Sequence, residues 1–277
     1  MTGEGVRHAG VPGFKVAGVH AGLKAEGLLD FALIVSDKSC VAAGVFTTNH
    51  VKAAPVLLDM ERLAAKQTGY RAVAINTKCA NACTGEQGLD NARQMARWVA
   101  ERVGCAEDEV LVMSTGVIGT HLAMDKIKRG IDLAADALGD DWEAAARAIM
   151  TTDTRPKTAF AHAADYRLAG IAKGAGMIAP NMATMLGLIV TDAPLTSAQA
   201  AGLLRENSAK TFNRIVVDGD MSTNDTVLLL AGGSAEVTDA LAAQCQPALH
   251  DVCTSLAKGI VRDGEGVTKF ITLQVFG

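Results

Sequence analysis

The chain has 277 residues, a net charge of −4 and 49% hydrophobic residues, enough to bury a sizeable core in one large domain or two ordinary ones. Aromatics make up only 4%, so the core must be mostly Ala, Val, Leu, Ile and Met, and no basic stripe interleaved with aromatics offers itself to nucleic acid. No stretch reaches the ~18 continuous apolar residues of a spanning helix, and Met1 to Phe14 lacks the apolar run of a signal peptide, so a cytoplasmic protein without a membrane partner is expected.

In chain order, Phe31 to Ser36 and Cys40 to Thr47 read as two short strands around the polar turn Asp37-Lys38-Ser39. Ala72 to Asn76 reads as a buried strand. Asp90 is placed to cap a helix in which Ala92, Met95, Ala96, Val99 and Val103 recur at helical spacing, and Gly104 ends it. Val110 to Met113 is a strand running into Ser114-Thr115-Gly116. Helices follow over Met124 to Leu138 and Trp142 to Met150, with Asp140-Asp141 as a solvated turn between them. Met185 to Thr191 and Arg214 to Val217 are expected as strands, Ser197 to Thr211 and Asp239 to Lys258 as helices, and Phe270 to Phe276 alternates like a strand. Strands and helices mix without strict βαβ alternation, which points to an α/β (α+β) class with layered α/β/α packing. The six cysteines suit free thiols. Cys79 and Cys83 are three residues apart with no His pair at zinc spacing, so no metal site is assigned.

The most unusual segment is Lys173 to Leu186, K-G-A-G-M-I-A-P-N-M-A-T-M-L. It can be a loop entering a buried strand. A phosphate cradle lacks the Gly-Lys-Ser/Thr ending that would place a lysine and a hydroxyl on the phosphates. A third reading makes Thr184 a nucleophile. A threonine hydroxyl needs a base, and a free α-amine on the same residue, with an unperturbed pKa of about 7.7–8.0, can serve. That amine exists only after the Ala183-Thr184 bond is cut, by attack of the Thr184 hydroxyl on the preceding carbonyl and hydrolysis of the resulting ester.

These residues resemble the cleavage motif of the ornithine acetyltransferase (glutamate N-acetyltransferase) family of arginine biosynthesis. The likeness runs in order through P-G-F-K-V-A-G-V at 12–19, G-L-K at 22–24, F-T-T-N at 46–49, A-A-P-V at 53–56, A-N-A-C-T-G-E-Q-G at 80–88, S-T-G-V-I-G at 114–119, T-T-D-T at 151–154, the 173–186 segment, D-G-D-M-S-T-N-D at 218–225 and D-G-E-G-V-T-K-F at 263–270. The resemblance implies autocatalytic cleavage into pieces 1–183 and 184–277 that associate as a heterotetramer. It also implies transfer of acetyl from N-acetylornithine to glutamate through an ester on Thr184, with no cofactor. Bifunctional relatives also accept acetyl-CoA. Thr115 and Gly116 would form the oxyanion hole through a hydroxyl and a backbone N–H. Lys173 would meet the substrate carboxylate, Glu265 the substrate amine, and Thr151 or Thr152 would contact substrate. From local pattern alone, these are a strand-ending turn, a surface lysine, a turn carboxylate and a capping threonine.

Two departures stand out. The family usually has Ser-Gly-Asn where this chain has Thr77-Lys78-Cys79, so Lys78 brings a long cation to a small neutral loop. Members also continue through an Asn-Trp-Gly-Arg motif to terminal Asn and Thr residues, whereas the sequence here ends at Gly277, so a separately supplied segment or weak activity is expected. The competing functions are a self-processing N-terminal-nucleophile amidase or aminopeptidase, with water as acceptor, and an inactive relative that kept the fold.

Overall fold

The structure, a computed structural model, describes residues 10–179, 185–233 and 237–275. Among them run β1 (Phe14–Val19), β2 (Phe31–Phe46), α1 (Ala54–Ala65), β3 (Thr68–Asn76), α2 (Gly85–Val103), β4 (Val110–Ser114), α3 (Met124–Asp136) and α4 (Trp142–Ala148). Then follow β5 (Lys157–Ala163), β6 (Tyr166–Lys173), β7 (Leu186–Thr191), α5 (Ser197–Lys210), β8 (Thr226–Ala231) and α6 (Asp239–Arg262). The strands form a sheet of order β4-β3-β2-β8-β7-β6-β5, with β1 added to β2. The β3–β4 and β7–β8 pairs are parallel and the rest antiparallel.

The two strands expected around Asp37-Lys38-Ser39 are one. β2 is continuous over 16 residues, and its register with β3 shifts between Val35 and Cys40 and again at Val41. The exposed polar triplet sits on this bulge, which bends the strand without ending it. The first half of β2 pairs with β1, from Phe14 opposite Ser36 to Val19 opposite Phe31. The second half pairs along the same edge with β8, from Val41 opposite Ala231 to Phe46 opposite Thr226.

That bend lets the sheet fold onto itself. In a flat sheet, β4 and β6 would lie five strands apart, about 24 Å at about 4.8 Å per strand. Yet Lys173 Nζ at the end of β6 is 3.3 Å from Thr115 Oγ1, just past β4. The inner faces meet in one core of Ile34, Ile75, Leu111, Met113, Ile171, Leu188 and Leu228, with the short α4 packed at its side. Helices α1–α3 cover the outer face of β1–β4 through Phe31, Leu33, Met95, Ile127 and Ile131. Helices α5 and α6 cover the outer face of β5–β8 through Leu168, Ile189, Leu204, Leu249 and Leu256. The layered α/β class therefore holds, and the strand layer between the helices is doubled. Strands β7 and β8, Leu-Gly-Leu-Ile-Val-Thr and Thr-Val-Leu-Leu-Leu-Ala, are buried along their whole length, as strands covered on both faces must be.

Three expected elements differ. Helix α2 begins at Gly85, so Asp90 lies inside it and does not cap it. Arg214 to Val217 is no strand: Arg214 belongs to a 3-10 turn over Phe212–Arg214, and the Val217 N–H donates to Ile178 O across a loop, outside any ladder. Residues 270–275 carry alternating apolar side chains but pair with no strand, leaving Ile271, Leu273 and Val275 74–94% exposed.

Candidate active site

The folded sheet brings the carboxyl ends of β3, β4 and β6 to one point. At the end of β4, the Ser114 hydroxyl donates to Asn76 Oδ1 (2.6 Å) and the Thr115 N–H to Asn76 O (3.1 Å). The Asn224 amide donates to Ser114 O (2.9 Å) and Ala80 O (2.7 Å), tying the loop before β8 to this end of β4. Gly116 follows at φ +137°, and a Cβ there would stand 2.2 Å from the Lys78 carbonyl carbon, so only glycine fits. Among the described residues no acceptor meets the Gly116 N–H. The adjoining loop is strained: Lys78, Asn81 and Cys83 are non-glycine residues at φ +71°, +51° and +56°. A glycine at position 78, the residue this loop usually carries in the resembling family, would relieve one of these strains.

Lys173, at the end of β6, is 3% exposed and donates to Thr115 Oγ1. Burial pushes its ammonium below the usual lysine range, opposed by Asp153, Asp225 and Glu265. Asp153 accepts from Lys157 Nζ (2.6 Å), the Gly174 N–H (2.7 Å) and the Thr151 N–H (3.0 Å). Burial alone would raise its carboxyl, but Lys173 and Lys157 outweigh it and hold the group below the usual carboxylate range. Lys157 also donates to Asp263 (2.7 Å), which accepts from the Thr154 hydroxyl and N–H. This buried Asp153–Lys157–Asp263 ion triad anchors the loop after α6. Two residues on, the Glu265 N–H donates to Ala175 O (2.7 Å), and its carboxylate lies over Gly176, where a Cβ would come within 2.7 Å of it.

Asp225 sits opposite, just before β8. It is fully buried, its Oδ1 accepts the Met185 N–H (2.8 Å), and its backbone carbonyl accepts the Thr47 N–H (2.8 Å). Burial drives its carboxyl well above the carboxylate range, against the Met185 N–H and Lys173. The residue covalently joined to Met185 is Thr184. Ala183 and Thr184, the expected cleavage pair and nucleophile, lie outside the described residues.

The structure thus brings Thr115, Gly116, Lys173 and Glu265 together beside the start of β7 at Met185. Lys173 is a buried group and no surface lysine. Of the two threonines, Thr151 turns its N–H onto Asp153, while Thr152 is exposed without a hydrogen bond among the described residues. Asn76, Asp153, Lys157, Asn224 and Asp225 were not singled out from sequence. Asp153, Asn224 and Asp225 lie inside T-T-D-T and D-G-D-M-S-T-N-D, and their place in these two motifs was the available signal. No group of three His, Cys, Asp or Glu side chains among the described residues could hold a metal ion, and all six cysteines are unpaired thiols.

Comparison with known proteins matches residues 15–277 to the sequence model of the ArgJ family. The arginine biosynthesis bifunctional protein ArgJ of Geobacter sulfurreducens is 50% identical over 96% of this chain and 70% of its own length. That of Thermotoga neapolitana is 47% identical over 95% and 68%. The mitochondrial ArgJ of Neurospora crassa is 46% identical, with 60% of its length covered. The solved structure of ornithine acetyltransferase from Mycobacterium tuberculosis, complexed with ornithine, is 41% identical at TM-score 0.59, covering 63% of this chain and 96% of that one. An L-aminopeptidase D-Ala-esterase/amidase from Ochrobactrum anthropi, a variant of the Ntn hydrolase fold, is 12% identical at TM-score 0.58 over 95% of this chain, a likeness of fold alone.

Proposed function

The chain belongs to the ArgJ family, and we propose that it moves acetyl from N-acetylornithine to glutamate through an ester on Thr184, after cutting itself between Ala183 and Thr184. The observation that carries this reading is the convergence of Lys173, Thr115 and the unclaimed Gly116 N–H beside Met185, the residue that follows Thr184. The solved ornithine acetyltransferase of Mycobacterium tuberculosis, 41% identical and complexed with ornithine, supports this substrate class.

In this mechanism the Thr184 hydroxyl first attacks the Ala183 carbonyl carbon. The C–N bond breaks as the C–O bond forms, and water hydrolyses the ester to leave Ala183 carboxylate and a Thr184 amine. That amine then takes the proton from the same hydroxyl as it attacks the acetyl carbonyl. The Thr115 oxygen accepts from Lys173, which leaves its own O–H to donate to the oxyanion beside the Gly116 N–H. The amide C–N bond breaks, ornithine leaves with the proton, and in the return step the glutamate amine attacks the acetyl ester, the C–O bond to Thr184 breaks, and the α-amine passes the glutamate proton back to the Thr184 oxygen. Lys173 carries the charge suited to the α-carboxylate and Glu265 that suited to the substrate amine. Thr152, whose side chain is exposed, suits a substrate contact better than Thr151. The cut pieces associate into a heterotetramer in the cytoplasm, and acetyl-CoA can stand in as donor if the protein shares the bifunctional activity of its relatives.

Denaturing mass spectrometry of the purified protein should show fragments splitting at Ala183-Thr184, and Thr184→Ala should show one intact, inactive chain. A Thr184→Ala variant that still transfers acetyl removes Thr184 from the mechanism. Release of free acetate at the same rate with and without glutamate would make the protein an amidase.

A further inference from the structure

Three lysines lie around the Thr115-Gly116 turn: Lys173 bonds Thr115, the Lys78 backbone packs against Gly116, and Lys24, on the loop tied to Thr77, feels the charges of both. None of them has an ion-pair partner among the described residues, although Lys157 nearby has two. The placement of Lys24 follows from the loop between β1 and β2. Buried Asp30 accepts the N–H groups of Ala21 (2.6 Å), Leu23 (2.7 Å) and Lys24 (2.8 Å), which closes the loop into a fixed turn. The Asp30 carbonyl accepts both the N–H and the hydroxyl of Thr77, which locks that turn against the loop carrying Lys78. Lys24 Nζ donates to Leu29 O (2.7 Å), so two of its three donors are uncommitted.

The three cations occupy two levels. Lys173 is deep, against Thr115. Lys24 is half-buried, and Lys78 is exposed at the rim on its strained turn. Burial pushes the Lys24 ammonium below the usual lysine range, and Lys78 and Lys173 push it further against Asp30 and Asp153. Holding like charges together in a part-desolvated place is unfavourable until an anion arrives. The acyl acceptor proposed above is a dicarboxylate, whereas ornithine carries one carboxylate and a side-chain ammonium. The inner lysine can serve the α-carboxylate that both share.

We propose that Lys24 and Lys78 form an outer carboxylate subsite, which takes the side-chain carboxylate of the acceptor and disfavours a cationic or neutral side chain in the same place. The inference rests on the glutamate-acceptor reading, so its test is a binding measurement that needs no turnover. Glutamine is the probe, being glutamate with a neutral amide in place of the side-chain carboxylate.

Calorimetric titration of the protein should show glutamate binding more tightly than glutamine. That preference should fall roughly 10- to 100-fold in Lys24→Gln and in Lys78→Gly, the factor one lost charge-assisted hydrogen bond brings. Ornithine should bind both variants as tightly as before, or more tightly. Lys78→Gly removes the cation while giving φ +71° the residue that conformation prefers, so its thermal midpoint should hold or rise and misfolding cannot imitate the effect. The proposal is overturned if the unmodified protein does not prefer glutamate over glutamine, or if the preference survives both substitutions. It is also overturned if both amino acids weaken equally, which would move the lysines to the α-carboxylate. A protein that binds glutamate in this way but transfers no acetyl would sink the proposed reaction and leave the subsite standing.

Discussion

Removing Lys157 tests the ion triad that holds the Glu265 loop. Lys157, Asp153 and Asp263 are 4%, 8% and 6% exposed, and one ammonium neutralises two carboxylates at 2.6 and 2.7 Å. Lys157→Met keeps most of the side-chain volume and leaves both carboxylates buried, Asp153 with Lys173 and Lys24 as its remaining cations and Asp263 with the exposed Arg155 (3.5 Å). Losing one member of a buried pair costs about 3–5 kcal/mol, a large part of the 5–15 kcal/mol that holds a typical domain together. The sign with pH follows from the direction of the shifts. Both carboxyls lie below their ordinary value in the folded protein, so they contribute stability above the unfolded-state pKa of about 3.8 and lose it as pH falls through the folded value. Without the lysine the same burial is opposed less, by Lys173 and the Gly174 N–H at Asp153 and by the Thr154 donors at Asp263, so both carboxyls move up and mild acid should relieve the variant before it harms the parent. Urea unfolding at pH 7, 5 and 4 should therefore give a deficit that is largest at pH 7 and shrinks toward pH 4. Adding Asp263→Asn should restore part of the loss by removing one orphaned charge. A deficit below about 1 kcal/mol at pH 7, or one that does not change with pH, would refute the triad as the anchor.

Other substitutions probe the site itself. Thr115→Ala should lower kcat about 10²–10³-fold with little change in KM, as removal of an oxyanion donor does, and an effect confined to KM would reassign Thr115 to ground-state binding. Gly116→Ala drives a Cβ to 2.2 Å from the Lys78 carbonyl carbon at φ +137°, so a thermal melt should show a loss of about 2–4 kcal/mol, and a melt unchanged from the parent contradicts the close approach. Leu273→Lys, at a position 88% exposed, should leave the melt within about 0.5 kcal/mol and reduce self-association in light scattering, whereas a marked destabilisation would mean the side chain is packed.

What the sequence made legible follows the range of the forces involved. Periodicity located α2, α3, α5 and α6 because a helix writes its buried face locally, as Ala92, Met95, Ala96 and Val99 do. Strand β8 and the β5–β6 hairpin escaped notice, since a fully buried run such as Thr-Val-Leu-Leu-Leu-Ala has no alternation, and Lys157 to Ala163 pairs with β6 through partners chosen in space. The residues of the site were found by resemblance, yet their arrangement was not. Nothing local to Asp37-Lys38-Ser39 says that the strand continues, and that continuity lets Thr115 and Lys173, 58 residues apart, touch. The partners of the polar supports at Asn76, Asp153 and Asn224 are hidden for the same reason: each is decided by what lies across the fold.

The strand order carries a topological consequence. Strands β7 and β8 lie after residue 184, yet they are inserted between β2 and β6, both of which come before it. A chain cut after Ala183 would therefore keep its second piece clamped by hydrogen-bond ladders on both flanks, six residue pairs against β2 and six against β6. The nick would sever a covalent bond without opening a seam, and the pieces could part only by tearing the sheet through its middle. Reassembly from separated fragments would require a central hairpin-less pair to find two edges at once, with partners such as Val41 and Ala231 distant in the sequence, which makes it slow and prone to aggregation. On this architecture folding must precede cutting, and the mature protein would be held in its native state by its history as a single chain.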